Sequence, residues 1–389
     1  MSAAAADNSI LGPLPGNQIS PAVSFGTNGG WLVWEDGSIK GSGRGWGIGA
    51  RRLGLDGVPV SSNVVASSLL LGDQTSPQVA SSDDGSAVIV WKGGVKAGTE
   101  NIYIRAGNPA GQLLGSDVIV NTNRKGPKAA PSVAACSNQV TVVWQSFLQD
   151  GSLWGVYGQR FLTSPLRRVG QEFQVNQNTN FNQRTPTVAA IPGGGTVVAW
   201  ISEQQRVSLK SSGEVSVDVY ARLFDVKGLP VGDEFCVNAD SSLCSLPVVV
   251  VLPNGGFLVS WMGRSISSDG DGWDVFGRLF SKAGTALAGA FRINSHTAGA
   301  QYRPKVATDG SKFLVVWNSF GQDGSRENAY GRHVGLDGTM TSDEFRINST
   351  TVGRQMDPVV SQIPAGGFLT IWSGYVRGTY FDLFSQQLP

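Results

Sequence analysis

A proline followed thirteen or fourteen residues later by a tryptophan that ends an apolar run occurs seven times in this chain. By subtraction, consecutive prolines of this set lie 54 to 61 residues apart. Self-similarity with a period near 50 residues is typical of β-propeller blades rather than of helical solenoids. The sequence therefore predicts seven blades. The pairs are Pro21 and Trp34, Pro77 and Trp91, Pro131 and Trp144, Pro186 and Trp200, Pro247 and Trp261, Pro304 and Trp317, and Pro358 and Trp372.

Each period contains four strand-like segments, which are clearest after Pro304: PKVATD, KFLVVW, AYGRHV and EFRIN. Alternating apolar residues and Gly-containing connections are typical of antiparallel hairpins. The 52 glycines and the low charged fraction of 15% agree with short strands and tight turns. We predict an all-β fold in which residues 1–389 form a single seven-bladed β-propeller of four-stranded antiparallel blades, opening near the seven prolines. The repeat tryptophans are expected to pack between neighbouring blades.

The last period lacks one strand. After Trp372 and the segment TYFDLF, the sequence reaches Pro389 without an EFxVN-like fourth strand. The segment NSILGPL, residues 8–14, precedes Pro21 and has no blade of its own. We predict that it supplies the fourth strand of the last blade and closes the ring, which would also remove exposed sheet edges.

Charge and hydropathy exclude two classes of partner. Thirty basic and 29 acidic residues give a formal net charge of +1, so no broad basic field is available for nucleic acid or an anionic membrane. No apolar run reaches the roughly 18 residues of a membrane helix, so no membrane insertion is predicted. The start, MSAAAADNSI, lacks the basic and apolar regions of a signal peptide, so an exported form would have lost its targeting segment or used another kind.

The three cysteines do not define a disulfide framework or a zinc pattern. Cys236 and Cys244 are close enough in sequence to pair in an oxidising compartment. Cys136 lies in an apolar strand and is interpreted as a buried thiol.

One face of the predicted propeller carries the variable loops. Because the strands of a blade alternate in direction, the loops that join second to third strands lie on the same face as the openings of the first strands. Functional residues tend to lie on variable loops held by a rigid frame, so we predict the binding site on this face. These loops span residues 92–101, 145–154, 201–218, 262–274 and 318–328.

Three tryptophans on that face, Trp46, Trp154 and Trp273, are additional to the repeat and precede third strands. An exposed indole beside polar side chains is a platform on which a sugar ring stacks its apolar face. They are therefore candidate carbohydrate-binding residues. The alternative is that each indole folds back over its own blade and covers apolar surface.

The segment SDGDGWD supplies three carboxylates, Asp269, Asp271 and Asp274. Calcium takes six to eight oxygen ligands, and this segment lacks the terminal bidentate acid of a hand-type loop. Calcium binding here is thus weighed against ordinary Asp/Gly turn chemistry. No other cofactor is predicted.

A glutamine stands three residues before the opening proline in five periods. A ring of amides near the channel mouth is one interpretation, with a ligand held over the central axis. The other is that a residue repeated in this way ties one blade's loop to the next. These candidate ligand-binding residues are Gln18, Gln74, Gln183, Gln301 and Gln355.

The wording of the repeat, as in VVWQSFLQDGSLWGVYGQRF followed by GQEFQVN and QRTPTVAA, resembles a propeller-type repeat of large secreted or surface-exposed bacterial proteins, some with calcium-binding hemolysin-like regions. The resemblance covers nearly the whole chain. It implies a secreted or cell-surface location and a generic scaffold without a shared catalytic motif.

The sequence contains no nucleophile elbow, HExxH or phosphate-binding loop. We therefore predict a non-catalytic binding module, either lectin-like or docking a protein partner through the loop face. One alternative is a polysaccharide-acting hydrolase or lyase, in which scattered residues such as His296, Asp274 and Tyr302 converge from different blades. Another is a structural subunit of an extracellular assembly.

Overall fold

The computed structural model describes residues 7–39, 45–68, 71–205, 216–238, 243–264, 272–376 and 380–389. These residues form β-strands joined by turns and loops, with no helix among them, so the predicted all-β class is confirmed. Across the same ranges, no helical segment of the length and apolarity needed to cross a membrane is found.

The strands fall into seven groups of four, which we call units 1 to 7; the first six are consecutive in the chain, and the seventh combines the last three strands with the first. Unit 1 holds β2 (Gln18–Gly26), β3 (Gly29–Asp36), β4 (Gly47–Leu53) and β5 (Val64–Val65); unit 2 holds β6 (Gln74–Ser81), β7 (Ala87–Gly93), β8 (Asn101–Gly107) and β9 (Leu113–Ile119); unit 3 holds β10 (Lys128–Cys136), β11 (Gln139–Phe147), β12 (Trp154–Thr163) and β13 (Leu166–Gln174); unit 4 holds β14 (Gln183–Ala190), β15 (Thr196–Glu203), β16 (Val217–Phe224) and β17 (Phe235–Cys236). Unit 5 holds β18 (Leu243–Val251), β19 (Phe257–Arg264), β20 (Asp274–Phe280) and β21 (Phe291–Arg292); unit 6 holds β22 (Gln301–Thr308), β23 (Lys312–Phe320), β24 (Glu327–Gly335) and β25 (Phe345–Arg346); unit 7 holds β26 (Gln355–Gln362), β27 (Phe368–Val376) and β28 (Tyr380–Leu388), together with β1 (Asn8–Ser9).

Within each unit the strands pair as an antiparallel meander, which confirms the predicted four-stranded sheets. Units 4 and 5 share one sheet because a single parallel bridge joins Val217 to Leu243. In unit 7 the order is β1-β28-β27-β26, so the amino-terminal strand pairs with the last strand of the chain, Asn8 opposite Ser385.

The core lies between neighbouring sheets. The seven repeat tryptophans are at most 1% exposed, and each belongs to an apolar cluster that draws on adjacent units. One such cluster joins Leu32 and Trp34 of unit 1 to Val359 and Ile371 of unit 7, and it includes Ile10 from the amino-terminal segment. Burial of these large rings between sheets is the main apolar contribution to stability.

A carboxylate near the outer strand of one unit accepts hydrogen bonds from backbone N–H groups of the unit before it. Glu172 accepts from Thr122 N, Glu344 from Ser295 N at 2.8 Å, and the same contact recurs at Glu234 and Asp117. Asp7 repeats this contact, accepting from Ser349 N at 2.7 Å and Thr350 N at 2.8 Å. The amino-terminal segment therefore makes the contact that a fourth strand makes elsewhere.

Every first strand is bulged at its opening proline, where the pairing with the second strand shifts register. The residue before each proline has a positive φ between 47° and 56°. A residue before proline is normally extended, and a left-handed conformation costs on the order of 1–3 kcal/mol for a side chain other than glycine. The seven residues are Ser20, Ser76, Ala130, Thr185, Leu246, Arg303 and Asp357.

Candidate functional site

The seven bulges converge on one cavity of about 320 Å³, which we call the axial cavity. It is lined by all seven opening prolines and by the positive-φ residue before each of them. Glu35, next to last in β3, also lines it. Because first strands begin and second strands end here, the axial cavity opens on the face for which the sequence predicts the variable loops.

Charged side chains line one side of the axial cavity. Glu35 comes from unit 1, Arg303 and Lys305 from unit 6, and Asp357 from unit 7. Units 2 to 5 contribute prolines with serine, threonine, glutamine, alanine, leucine and valine. The cavity thus combines a charged side with a side of apolar and hydroxyl groups, a combination typical of ligand sites.

Two carboxylates in the axial cavity have different environments. Asp357 forms an ion pair with Arg303, whose side chain is about half exposed. Glu35 Oε1 accepts a hydrogen bond from Ser76 N at 2.7 Å. Burial nevertheless raises the pKa of Glu35 above its ordinary value of 4.5, outweighing the lowering effects of that hydrogen bond and of the Lys92 charge.

Equivalent positions in other units show that the fold does not need a carboxylate at Glu35. The residue after the repeat tryptophan is Gln145 in unit 3, whose Oε1 accepts from Thr185 N at 2.8 Å. In unit 6 it is Asn318, whose Oδ1 accepts from Asp357 N at 3.0 Å. A neutral amide side chain makes the same hydrogen bond between units. The fold therefore does not need the ionisable carboxyl group of Glu35 at this position.

A second cluster lies beside this charged side. Arg354 Nε and Nη2 donate to both oxygens of Glu327, at 2.8 and 2.7 Å, and the Tyr302 hydroxyl also hydrogen-bonds Glu327. Burial raises the pKa of Tyr302 to about 12. Tyr302 therefore remains a protonated phenol near neutral pH, and its charge interactions extend to Arg303 and Asp357.

The three additional tryptophans lie apart from the axial cavity. Trp46, Trp154 and Trp273 belong to units 1, 3 and 5, and all are half-buried. The ring of Trp154 packs against Phe147 with centroids 5.2 Å apart, and the Trp273 carbonyl accepts from Gln301 N at 2.6 Å. Their stacking on a sugar remains a prediction, and the structure does not bring them together.

The five repeated glutamines are buried, and none lines the axial cavity. Each side-chain Nε2 donates to the carbonyl three residues earlier, at 2.7 to 3.5 Å. In units 2, 6 and 7 the side-chain oxygen accepts from the indole Nε1 of the repeat tryptophan, as Gln301 does from Trp317 at 3.1 Å. These contacts connect the loop that precedes each first strand to the buried core.

Replacing Gln301 by leucine is expected to lower the free energy of unfolding by about 1–3 kcal/mol, because Trp317 Nε1 would be left buried without an acceptor. Thermal or urea unfolding measures the change. Gln183→Leu is the control, since Gln183 accepts from Asn176 at 3.4 Å and not from its repeat tryptophan. Equal stability of Gln301→Leu and the unmodified chain would contradict this role.

The predicted calcium segment is only partly described. Asp269 and Asp271 lie outside the described residues. Asp274 is buried, accepts from Asn294 Nδ2 at 2.6 Å, and lies 3.9 Å from Arg292 Nη1. Among the described residues, no group of three or more His, Cys, Asp or Glu side chains is arranged to hold a metal. Calcium binding stays a prediction.

The three residues that the sequence analysis suggested for an enzyme, His296, Asp274 and Tyr302, lie in two different places. Asn294 Nδ2 contacts both Asp274 and the carbonyl of His296. Tyr302 lies instead in the cluster with Glu327 and Arg354 beside the axial cavity. The sequence analysis did not identify four charged residues of the axial cavity, Glu35, Arg303, Lys305 and Asp357. The only sign of them in the sequence is that each differs from the residues at the equivalent position of the other repeats.

No family model and no curated protein sequence matches the chain. Several solved structures are similar to it. A protein of unknown function from Dyadobacter fermentans has 10% identity and a TM-score of 0.57, covering 80% of this chain and 93% of that one. An alpha-L-arabinanase of Penicillium chrysogenum, in complex with arabinobiose, has 14% identity and a TM-score of 0.55 over 86% and 98%. A PL25 ulvan lyase has 10% identity and a TM-score of 0.53 over 99% and 95%.

These similarities establish the fold, a propeller-like arrangement of repeated four-stranded blades. They also correct the sequence analysis. The prediction of a non-catalytic binding module is wrong, because the arabinanase and the ulvan lyase, the two structures reported above with a named activity, are enzymes that act on carbohydrates. The alternative that the sequence left open, a hydrolase or lyase acting on polysaccharide, is the one favoured.

Proposed function

We propose that this protein hydrolyses glycosidic bonds of a polysaccharide and that the axial cavity is its active site. The observation that carries this proposal is the pair of carboxylates that line one cavity, Glu35 with a pKa raised by burial and Asp357 ion-paired with Arg303. Most glycoside hydrolases need one carboxylic acid that keeps its proton and one ionised carboxylate, and different environments separate those two roles.

Glu35 is assigned as the general acid. Burial raises its pKa, which favours the protonated form that a general acid needs when it donates to the glycosidic oxygen. Asp357, ion-paired with Arg303, is assigned as the carboxylate that faces the developing positive charge of the sugar, as nucleophile or as the base that activates water. The hydroxyls of Ser20 and Ser76 on the cavity wall suit hydrogen bonding to sugar hydroxyls.

The state of Tyr302 does not suit it to be the base of a lyase. A lyase needs a base that removes a proton next to a sugar carboxylate. With a pKa of about 12, Tyr302 is a hydrogen-bond donor near neutral pH rather than a base. The proposed hydrolysis gives a saturated product, and the ultraviolet absorbance of an unsaturated sugar would point to elimination instead.

We also propose that the seven units form one closed ring and a single domain, and that the protein acts outside the cell, where polysaccharides are met. Support for closure comes from the pairing of β1 with β28 and from the contacts of Asp7 with unit 6. Arg51 Nη1 donates to Ile10 O at 3.0 Å, as Arg105 Nη1 donates to Ala66 O of the unit before it. The amino-terminal segment thus lies between units 6 and 1 in the position of a fourth strand.

The proposed activity is tested by incubating the protein with a panel of polysaccharides that includes arabinan and ulvan, and by measuring new reducing ends. Asp357→Asn is expected to lower turnover by about 100-fold or more, since the ionised carboxylate is lost. Asp323→Asn is the matched control, because Asp323 pairs with Arg346 at 3.0 Å and does not line the axial cavity. Absence of product from every polymer, or full activity of Asp357→Asn, would refute the assignment.

A further inference from the structure

Lys305 is a cation at a position where the repeat does not require one. It follows Pro304 and lines the axial cavity. The residues that follow the opening proline in the other units are uncharged, so the packing of a first strand does not depend on a charge here. They are Ala22, Gln78, Ser132, Thr187, Val248 and Val359.

The other charges of the axial cavity are already engaged. Arg303 and Asp357 form an ion pair, and Glu35 accepts from Ser76 N. Within the described ranges, no hydrogen bond or ion pair engages the side chain of Lys305. With Glu35 protonated as the proposed acid, the cavity has an excess of one positive charge, located on Lys305.

The position of Lys305 makes this excess charge available to a ligand. Its nearest charged neighbours are Asp357 and Arg303, the residues assigned to catalysis and to its support. Burial lowers the pKa of Lys305, because the cavity wall replaces part of the water around the ammonium group. The nearby Asp357 carboxylate is already ion-paired with Arg303, so it compensates the Lys305 charge only in part, and a bound anion would supply the missing compensation.

We propose that Lys305 binds an anionic group, a carboxylate or a sulfate, on the sugar unit that occupies the axial cavity, so that the substrate is an acidic polysaccharide. This inference rests on the proposed function and names its substrate class. A neutral polymer would leave the Lys305 ammonium without a partner inside the loaded site.

The test compares acidic glycans with chemically neutralised counterparts of the same backbone, one set carboxyl-reduced and the other desulfated. Binding is measured by calorimetry and turnover by release of reducing ends. The unmodified protein is expected to prefer the acidic member of at least one pair. Lys305→Met is expected to weaken binding of that member by about tenfold or more while leaving its neutral counterpart unchanged, since one charge-assisted hydrogen bond is lost. Lys305→Arg should restore much of the preference.

Lys282→Met is the control for net charge, because Lys282 is exposed and does not line the axial cavity. The pair that responds identifies the group as carboxylate or sulfate. Equal affinity for both members of every pair, or an acidic preference that persists in Lys305→Met, would overturn the proposal. An acidic preference without product release would instead refute the hydrolase assignment and leave the role of Lys305 standing.

Discussion

Replacing Glu35 by glutamine is expected to lower kcat by a factor of about 10² to 10⁴, which is the typical contribution of a positioned general acid. The fold should be retained, because a glutamine side chain keeps the oxygen that accepts from Ser76 N. Gln145 makes the equivalent hydrogen bond to Thr185 N in unit 3. Steady-state kinetics on the best substrate of the panel measures the loss, and an unchanged kcat would exclude Glu35 as the acid.

The same variant has an expected signature in stability. Because the folded-state pKa of Glu35 is raised, Glu35 contributes stability that is fully present below its ordinary value of 4.5 and is lost as the pH rises through the folded-state value. Glu35→Gln removes this loss. At neutral pH the melting temperature of the variant should be no lower than that of the unmodified protein. Any gain in melting temperature over the unmodified protein should shrink as the pH is lowered.

A matched variant places the carboxylate in another unit. Gln145→Glu puts an acid at the position equivalent to Glu35, where it must accept from Thr185 N. We expect it to melt lower than the unmodified protein at neutral pH and to keep full activity. Calorimetry across the pH range checks both variants, and a lower melting temperature for Glu35→Gln at neutral pH would contradict the assigned cause.

Removing residues 1–12 is expected to destabilise the protein by several kcal/mol. The side chains of Ile10 and Leu11 are 5% and 7% exposed, and their burial alone contributes about 3–6 kcal/mol. The pairing of β1 with β28 and the hydrogen bonds that Asp7 accepts from Ser349 and Thr350 are lost as well. Denaturant unfolding measures the change.

The truncated chain should also self-associate, because β28 becomes an uncovered edge strand. Asp7→Ala separates the two contributions, since it removes the carboxylate and keeps the strand, and a smaller loss of about 1 kcal/mol is expected. A truncated protein that unfolds at the same denaturant concentration and stays monomeric would contradict ring closure by this segment.

The strands were predictable from the sequence because their signals are local. Alternating apolar residues, Gly-containing turns and the spacing of Pro304 and Trp317 lie within a few dozen residues of each other. The axial cavity was not predictable in this way. Glu35 and Asp357 meet only because the first and last units are neighbours in space, and the positive φ of Asp357 leaves no mark in composition.

The glutamines show the structural role that a repeated polar residue has in this fold. Gln74, Gln301 and Gln355 recur because each satisfies a buried indole, a task that every such unit shares. Glu35 and Lys305 do not recur among equivalent positions. In a chain of repeats, a shared polar residue points to the scaffold, whereas an exceptional one points to chemistry.

The bulge before each opening proline has a consequence for protein engineering. Its backbone geometry is the same whether the residue is serine, alanine, leucine, arginine or aspartate. Seven attachment points with one backbone geometry are therefore presented to one shared volume. Combinatorial redesign can vary five of them, Ser20, Ser76, Ala130, Thr185 and Leu246, to select new specificities, while Arg303 and Asp357 are kept for the proposed chemistry.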